Sequence, residues 1–176
     1  MTARLGAVQE EVRAFLSEGP RFAQLITVDR AGSPVTRTVG AELGPDGTVE
    51  MVVRAGHARL RQLAANPRLQ LVFVGPPRSQ APVTRPAVID YGLPAPRVVA
   101  LSGCAEPMSP TETLRCYRRQ TDRARARGNH RAPERTDAEV GAELAGVRMH
   151  VTKIRAEGFD AAALALTWAV DEGSPS

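Results

Sequence analysis

The stretch GSPVTRTVGAELGPDGTVEMVVRAGHAR, residues 32–59, decides how the rest of the chain is interpreted. Its first half alternates between two faces. One face carries Val35, Arg37, Val39, Ala41 and Leu43, and the other carries Thr36, Thr38, Gly40 and Glu42. This period of two predicts a half-buried strand. Residues 48–53 are rich in β-branched side chains and predict a return strand, with a Gly-Pro-Asp-Gly turn at residues 44–47.

A short helix is predicted directly after the second strand. It begins at Gly56-His57-Ala58-Arg59, carries apolar residues at helical spacing, and ends at Asn66-Pro67. Arg59 places a cation in the first turn of this helix. Free backbone N–H groups and the helix dipole favour anions at a helix N-terminus, so the pattern indicates an anion site.

The order and spacing of these elements resemble the flavin-binding split-barrel family, the pyridoxamine 5′-phosphate oxidase-like proteins. The resemblance continues through residues 69–73, 98–106 and 146–151 and covers about residues 20–160. The positions that match the family pattern between residues 32 and 67 are Gly32, Pro34, Arg37, Val39, Gly47, Gly56, Arg59, Asn66 and Pro67.

The resemblance implies a mainly β fold with peripheral helices, a six-stranded split β-barrel of the FMN-binding type. It also implies an FMN-binding oxidoreductase and a homodimer with its cofactor pocket between the two subunits. Two alternatives stay open. One is a reductase of the same fold that uses a deazaflavin coenzyme, and the other is a flavin-binding or interaction protein without turnover.

The remaining sequence fits a single domain, with a core at about residues 20–160, a proline-rich loop at 75–96 and a C-terminal tail at 161–176. Helices are predicted at residues 5–18, at 110–127 and from 137 to a stop at Gly146; the last two begin with capping boxes. Further strands are predicted at residues 22–28, 69–74, 97–106 and 147–151, with a bulge at Gly103 and a short extended piece at 87–89.

Two arginines are the main candidates for a cofactor phosphate. Arg37 lies on an otherwise apolar face and therefore needs a partner. It is either a phosphate ligand or a surface arginine in an ion pair. Arg59 has the same two interpretations, and its place in the first helical turn favours phosphate. Arg54 either reaches the cofactor or is solvated.

The resemblance implies further candidate cofactor contacts from two strands. Val52 and Val53 occupy positions where the family contacts the flavin, although plain strand core explains them equally well. His57 replaces the family's usual serine and is either a phosphate donor or a polar helix cap. The other candidates are Thr38, Val39, Gly40 and Arg97. No catalytic residue and no metal site is predicted.

Departures from the family pattern argue against vitamin B6 chemistry. Glu42 stands where the B6 oxidases place a substrate-binding lysine, so we expect a reversed charge there. Val98 replaces a family glutamine, and the Arg-x-His-Asp-Arg signature near the C-terminus is absent. We therefore expect little oxidation of pyridoxamine 5′-phosphate.

Composition and motifs narrow the remaining classes. Formal net charge is +4 and aromatic residues make up 4%, so base-stacking platforms are few. The arginine-rich segment 115–135 is interpreted as a solvated helix face, and a nucleic-acid partner is not expected. Two cysteines predict no disulfide framework, and the longest apolar run, residues 161–170, is too short to cross a bilayer. The expected location is the cytoplasm, with a small-molecule substrate and no membrane partner.

Overall fold

The computed structural model describes residues 2–18, 21–44, 46–77, 95–131, 134–159 and 165–170. These residues form seven strands and four helices. The strands are β1 (Arg21–Val28), β2 (Pro34–Leu43), β3 (Val49–Arg54), β4 (Arg68–Gly75), β5 (Arg97–Pro107), β6 (Leu144–Glu157) and β7 (Leu166–Ala169). The helices are α1 (Thr2–Ser17), α2 (Ala58–Ala65), α3 (Pro110–Ala126) and α4 (Asp137–Glu143).

The first six strands close into an antiparallel barrel in the order β3-β2-β1-β4-β5-β6, and β3 pairs back onto β6. This confirms the six-stranded split barrel with peripheral helices. The seventh strand, β7, adds to the edge of the C-terminal half of β6 and lies outside the closed ring.

The predicted alternation is reproduced in the burial of residues 35–41 of β2, and it breaks at Glu42, which is buried beside Ala41. Val39 and Ala41 face the core, while Thr36, Thr38 and Gly40 are exposed. The barrel interior is filled by branched and unbranched apolar side chains, including Leu71, Leu101 and Met149 at 0% exposure. Phe15 of α1 packs edge-to-face on Phe159 at a ring-centroid distance of 5.5 Å.

Both predicted capping boxes are present. Ser109 and Glu112 exchange hydrogen bonds at the start of α3, and Thr136 and Glu139 do the same at the start of α4. The starts of α3 and α4 agree with the predictions, and the other helix boundaries differ from them by at most three residues. The last predicted strand is longer at both ends, since α4 ends at Glu143 and β6 runs from Leu144 to Glu157 rather than over residues 147–151.

Gly103 lies at the predicted bulge, since the β5–β6 register shifts between Ser102 and Gly103. A Cβ atom built on Gly103 lies 1.9 Å from the carbonyl oxygen of His150, so a larger residue cannot be placed there without moving the backbone. The bulge therefore depends on the close approach that glycine permits.

Two segments were predicted to lack regular structure, the proline-rich loop at 75–96 and the C-terminal tail at 161–176. The proposed extended piece at residues 87–89 lies outside the described residues, as does most of the proline-rich loop. The segment interpreted as a C-terminal tail contains β7, which the sequence analysis missed. No helix within the described ranges is long and apolar enough to cross a bilayer.

Candidate functional site

The strands β2 and β3 separate soon after the turn that joins them. Their register has two pairs, Glu42 with Glu50 and Leu43 with Val49. The rest of β2 pairs with β1, and β3 pairs along its whole length with β6. The two strands therefore leave an opening between residues 34–41 on one side and residues 51–54 on the other.

The strand residues predicted to contact a cofactor lie on the two sides of this opening. Thr38 and Gly40 are exposed on β2, and Val52 is half-buried on β3. Val39 and Val53 are 4% and 8% exposed and belong to the core, so their side chains do not face the opening. Arg54 is exposed at the end of β3, where the chain turns towards α2.

Arg37 projects from β2 beneath α2. Its Nη1 atom donates to Oε1 of Gln62 at 3.0 Å. The same oxygen accepts a hydrogen bond from the hydroxyl of Thr27 at 3.2 Å. Arg37 is therefore half-buried and held by a neutral acceptor, which leaves its positive charge uncompensated by this contact.

Arg59 lies close enough to Arg37 for the two charges to interact. Burial first, and then the charge of Arg37, lower the pKa of the Arg59 guanidinium. Its Nε atom is buried without a hydrogen-bond partner among the described residues. Two like charges in a half-buried place, one with an unpaired donor, favour an anion between them.

The start of α2 lies beside the same two arginines. We call Arg37, Arg59 and the first turn of α2 the cationic corner. His57 is the N-cap residue, but its side chain makes no capping hydrogen bond. Its Nδ1 atom instead accepts from Nη2 of Arg59 at 3.4 Å, and no acidic residue lies in the first turn. The first backbone N–H groups of a helix lack intrahelical partners, so they are available to the same anion. These residues fit a phosphate group.

Arg97 lies away from this corner. It pairs with Gly75 at the end of β4, whereas α2 leads into the beginning of that eight-residue strand. Its guanidinium lies 5.1 Å from the ring centroid of Phe15 and 5.9 Å from that of Phe159, and its Nε donates to the carbonyl oxygen of Pro76. Arg97 therefore joins α1 to the far end of the barrel.

The structure corrects the expectation for Glu42. The side chain is 1% exposed because α3 covers it, and one carboxylate oxygen accepts from Arg119 at 3.0 Å and from Arg123. Glu42 therefore does not present a free negative charge to a substrate. The argument against B6 chemistry loses its basis at this position, while the departures at Val98 and in the C-terminal segment are unaffected.

Glu50, the cross-strand neighbour of Glu42, is also buried and paired. It is 3% exposed and binds Arg119 of α3 and Arg148 of β6, the latter at 3.2 Å. Arg148 continues to Glu112 at 3.0 Å. Two acidic residues on neighbouring strands are thus neutralised by arginines, which attaches α3 to the closed end of the β2–β3 hairpin.

The arginine-rich segment contributes to this packing more than the sequence indicated. Arg119 and Arg123 are the two members that reach the buried carboxylates, and Arg118 and Arg125 pair with Asp137 and Glu134. These pairs neutralise part of the segment within the chain. Together with Ser17, Leu43 and Gly44, the arginines at 119 and 123 also line a cavity of about 220 Å³.

The described part of the chain shows no arrangement typical of a metal site or of a catalytic histidine. There, no three His, Cys, Asp or Glu side chains are arranged to hold a metal ion. His150 bonds to Glu106 at 2.7 Å on the exposed sheet surface.

The residues that sequence reasoning missed are Thr27 and Gln62. Their role depends on three elements meeting in space, and neither residue carries a signal of its own in the sequence.

The chain matches a protein-family model over most of its length. A family model described as pyridoxamine 5′-phosphate oxidase matches residues 8–157. No curated protein sequence matches the chain significantly.

Several solved structures share the fold at low sequence identity. A heme-binding protein from Mycobacterium smegmatis is 20% identical, with 92% of this chain and 57% of that chain covered and a TM-score of 0.62. An FAD- and heme-binding protein from the same organism is 19% identical, with 94% and 73% covered and a TM-score of 0.62. An F420 reductase is 19% identical, with 80% and 93% covered and a TM-score of 0.54. At these identities the comparisons show a common fold.

Proposed function

The chain belongs to the pyridoxamine 5′-phosphate oxidase family, and we propose that it is an FMN-binding oxidoreductase whose cofactor lies at the opening between β2 and β3. The observation that carries the proposal is the proximity of Arg37, on β2, to Arg59, at the start of α2. Burial and mutual repulsion act on Arg59, its Nε lacks a partner, and an anion relieves both conditions.

In this proposal each part of the site has a separate role. Arg37, Arg59 and the first N–H groups of α2 hold the phosphate. The exposed residues Thr38 and Gly40 on one side, and residues 52–54 on the other, flank the rest of the cofactor. The bound flavin would supply hydride transfer, and the protein supplies binding, orientation and shielding from water.

A reductase that uses a deazaflavin coenzyme is the second candidate. The extent of the similarity to the F420 reductase favours it, since the alignment covers 93% of that chain. Both kinds of cofactor carry a phosphate group that the same arginines would bind. Mass spectrometry of the small molecule that copurifies with the protein separates the two candidates.

We also propose that the protein is a homodimer formed through the outer face of β1, β2, β4 and β5. Phe22 is 80% exposed there, and the β1–β4 register places Val74, which is 60% exposed, next to it. None of the outward residues at the centre of this face is charged, although 24% of the whole chain is. They are Phe22, Gln24, Ile26, Thr36, Thr38, Gly40, Gln70, Val72, Val74, Val98, Ala100 and Ser102.

A second copy of the chain suits such a face, because a two-fold interface is self-complementary and an uncharged surface avoids repulsion between identical charges. Thr38 and Gly40 belong both to this face and to the opening beside β3. A partner on the face would therefore also border the proposed cofactor site.

The proposal is tested by titrating the apoprotein with FMN and with riboflavin, which lacks the phosphate. We expect Arg37→Ala and Arg59→Ala each to weaken FMN binding by roughly tenfold to a hundredfold, because one charge-assisted contact is lost. Riboflavin binding should change little. Fluorescence quenching of the flavin measures both affinities.

Arg125→Ala is the matched control, since Arg125 pairs with Glu134 at 3.3 Å on the surface of α3. It should bind FMN like the wild type. If Arg37→Ala and Arg59→Ala both leave FMN affinity unchanged, these two arginines do not bind the phosphate.

A further inference from the structure

Gln62 of α2 joins Arg37 to the wall of the barrel. Its Oε1 atom accepts from Arg37 of β2 at 3.0 Å and from Thr27 of β1 at 3.2 Å. A guanidinium can only donate, so the atom facing Arg37 is the carbonyl oxygen of the amide. The chemistry of this contact fixes the orientation of the Gln62 side chain.

Thr27 gives this contact a rigid base. It is 2% exposed and lies two positions after Leu25, the register partner of Arg37 on the adjacent strand. Its hydroxyl has little freedom inside the barrel, and its hydrogen bond restrains the Gln62 amide from one side. Gln62 thereby transfers the fixed position of β1 to the guanidinium on β2.

Arg37 needs such a restraint because Arg59 is a nearby like charge. Repulsion alone would move the two flexible side chains apart, and holding a long side chain in one rotamer costs conformational entropy. Gln62 satisfies one N–H of Arg37 on the side of the barrel. The remaining N–H groups stay available for another acceptor.

The side chain of Gln62 is neutral, and this lets it hold Arg37 without reducing the positive charge of the site. A glutamate at this position would hold Arg37 equally well, but it would offset one of the two positive charges that attract an anion. A leucine or methionine would leave the charge and remove the restraint. An amide does both tasks, since it orients the guanidinium and keeps the corner positive.

We propose that Gln62 is a positioning residue for the cofactor phosphate, held by Thr27 and acting through Arg37. The proposal rests on the FMN-binding function proposed above. Gln62 itself does not contact the flavin in this proposal. A change at Gln62 should therefore alter the difference in affinity between FMN and riboflavin.

The test compares this difference in three variants and a control. Gln62→Glu keeps the contacts to Arg37 and Thr27 but offsets one of the two positive charges that Arg37 and Arg59 supply. We expect FMN affinity to fall by about tenfold or more, with riboflavin affinity and the thermal unfolding midpoint at or above wild-type values. Gln62→Met removes the acceptor, and Thr27→Val removes the hydroxyl. Each should lower FMN affinity by about twofold to tenfold, again without a matching loss for riboflavin.

Gln9→Glu, on the exposed face of α1, is the control for the change in net charge and should bind both ligands like the wild type. The preference for FMN over riboflavin separates positioning from structural support, because a general loss of structure would weaken both ligands alike. Equal losses for both ligands in Gln62→Met would therefore overturn the proposal.

Two further results separate this proposal from the function on which it rests. If Arg37→Ala weakens FMN binding but Gln62→Glu does not, the positioning role is wrong and the phosphate site stands. If the wild type binds FMN and riboflavin with equal affinity, the phosphate site itself is wrong and the role of Gln62 is overturned with it.

Discussion

At the scale of single residues, the two cysteines have opposite environments. Cys116 is 1% exposed on the buried side of α3, and burial first, then the charge of Glu50, raise the pKa of its thiol to about 12. Cys104 is exposed on β5. The thiolate is the reactive form, so these positions should differ in reactivity.

We expect one thiol of the native protein to react with Ellman's reagent at neutral pH and two to react after unfolding in guanidinium chloride. Cys104→Ser should abolish the fast reaction, and Cys116→Ser should leave it unchanged. A native protein in which both thiols react at the same rate would show that α3 does not shield Cys116.

Residue roles were predictable where a local pattern carried them. Arg37 and Arg59 belong to a strand and to a helix start, and the structure places them close together as the pattern indicated. Whether they bind phosphate stays a prediction. The burial of Glu42 was not predictable, since it depends on the docking of α3, whose arginines are 77 and 81 positions away along the chain.

At the scale of elements, α3 shows how a local motif and a distant contact reinforce each other. The carboxylate of Glu112 accepts hydrogen bonds from the hydroxyl and the backbone N–H of Ser109 and from Arg148. These contacts, with the Ser109 hydroxyl first, lower the pKa of Glu112 from 4.5 to about 2. The start of the helix is thereby joined to β6.

This shift predicts how stability depends on pH. Because the pKa of Glu112 is lower in the folded state, its contribution is complete above about pH 4.5 and is lost as the pH falls towards 2. Glu112→Gln should lower the urea midpoint at pH 7 and reduce its fall between pH 4.5 and 2.5. Glu10→Gln, on the exposed side of α1, is the control. If the urea midpoint of Glu112→Gln falls as steeply with acid as that of the wild type, the assignment to Glu112 is wrong.

Elements with strong end signals were predicted well, and elements without them were not. The capping boxes fixed the starts of α3 and α4 because Ser109 and Thr136 each have a glutamate three residues later. The four residues of β7 lie in an alanine-rich run without alternation, and their pairing with β6 makes them a strand. Residues 144–146 gained strand structure from β3 in the same way.

At the scale of the whole molecule, the uncharged outer face predicts the assembly. We expect the wild type to sediment at micromolar concentration as a dimer, with twice the chain mass of 18.8 kDa. Phe22→Glu should shift it towards the monomer, because two buried carboxylates would face an apolar surface.

Val170→Glu is the control for this experiment, since Val170 is also an exposed apolar residue, at 38%, but lies beyond β7 and outside the face. It should remain a dimer. A wild-type protein that sediments as a monomer, or a Phe22→Glu variant that remains a dimer, would contradict the proposed interface.

The separation of β2 from β3 also has a consequence for the order of folding. The hairpin has two paired positions near its turn, so β3 gains most of its partners from β6, where Val49 lies opposite Met149. About a hundred residues separate these partners, and contacts so distant in sequence form slowly. During synthesis, the ring cannot close until β6 has left the ribosome. Until then, β3 is an exposed strand edge that is vulnerable to pairing with other nascent chains.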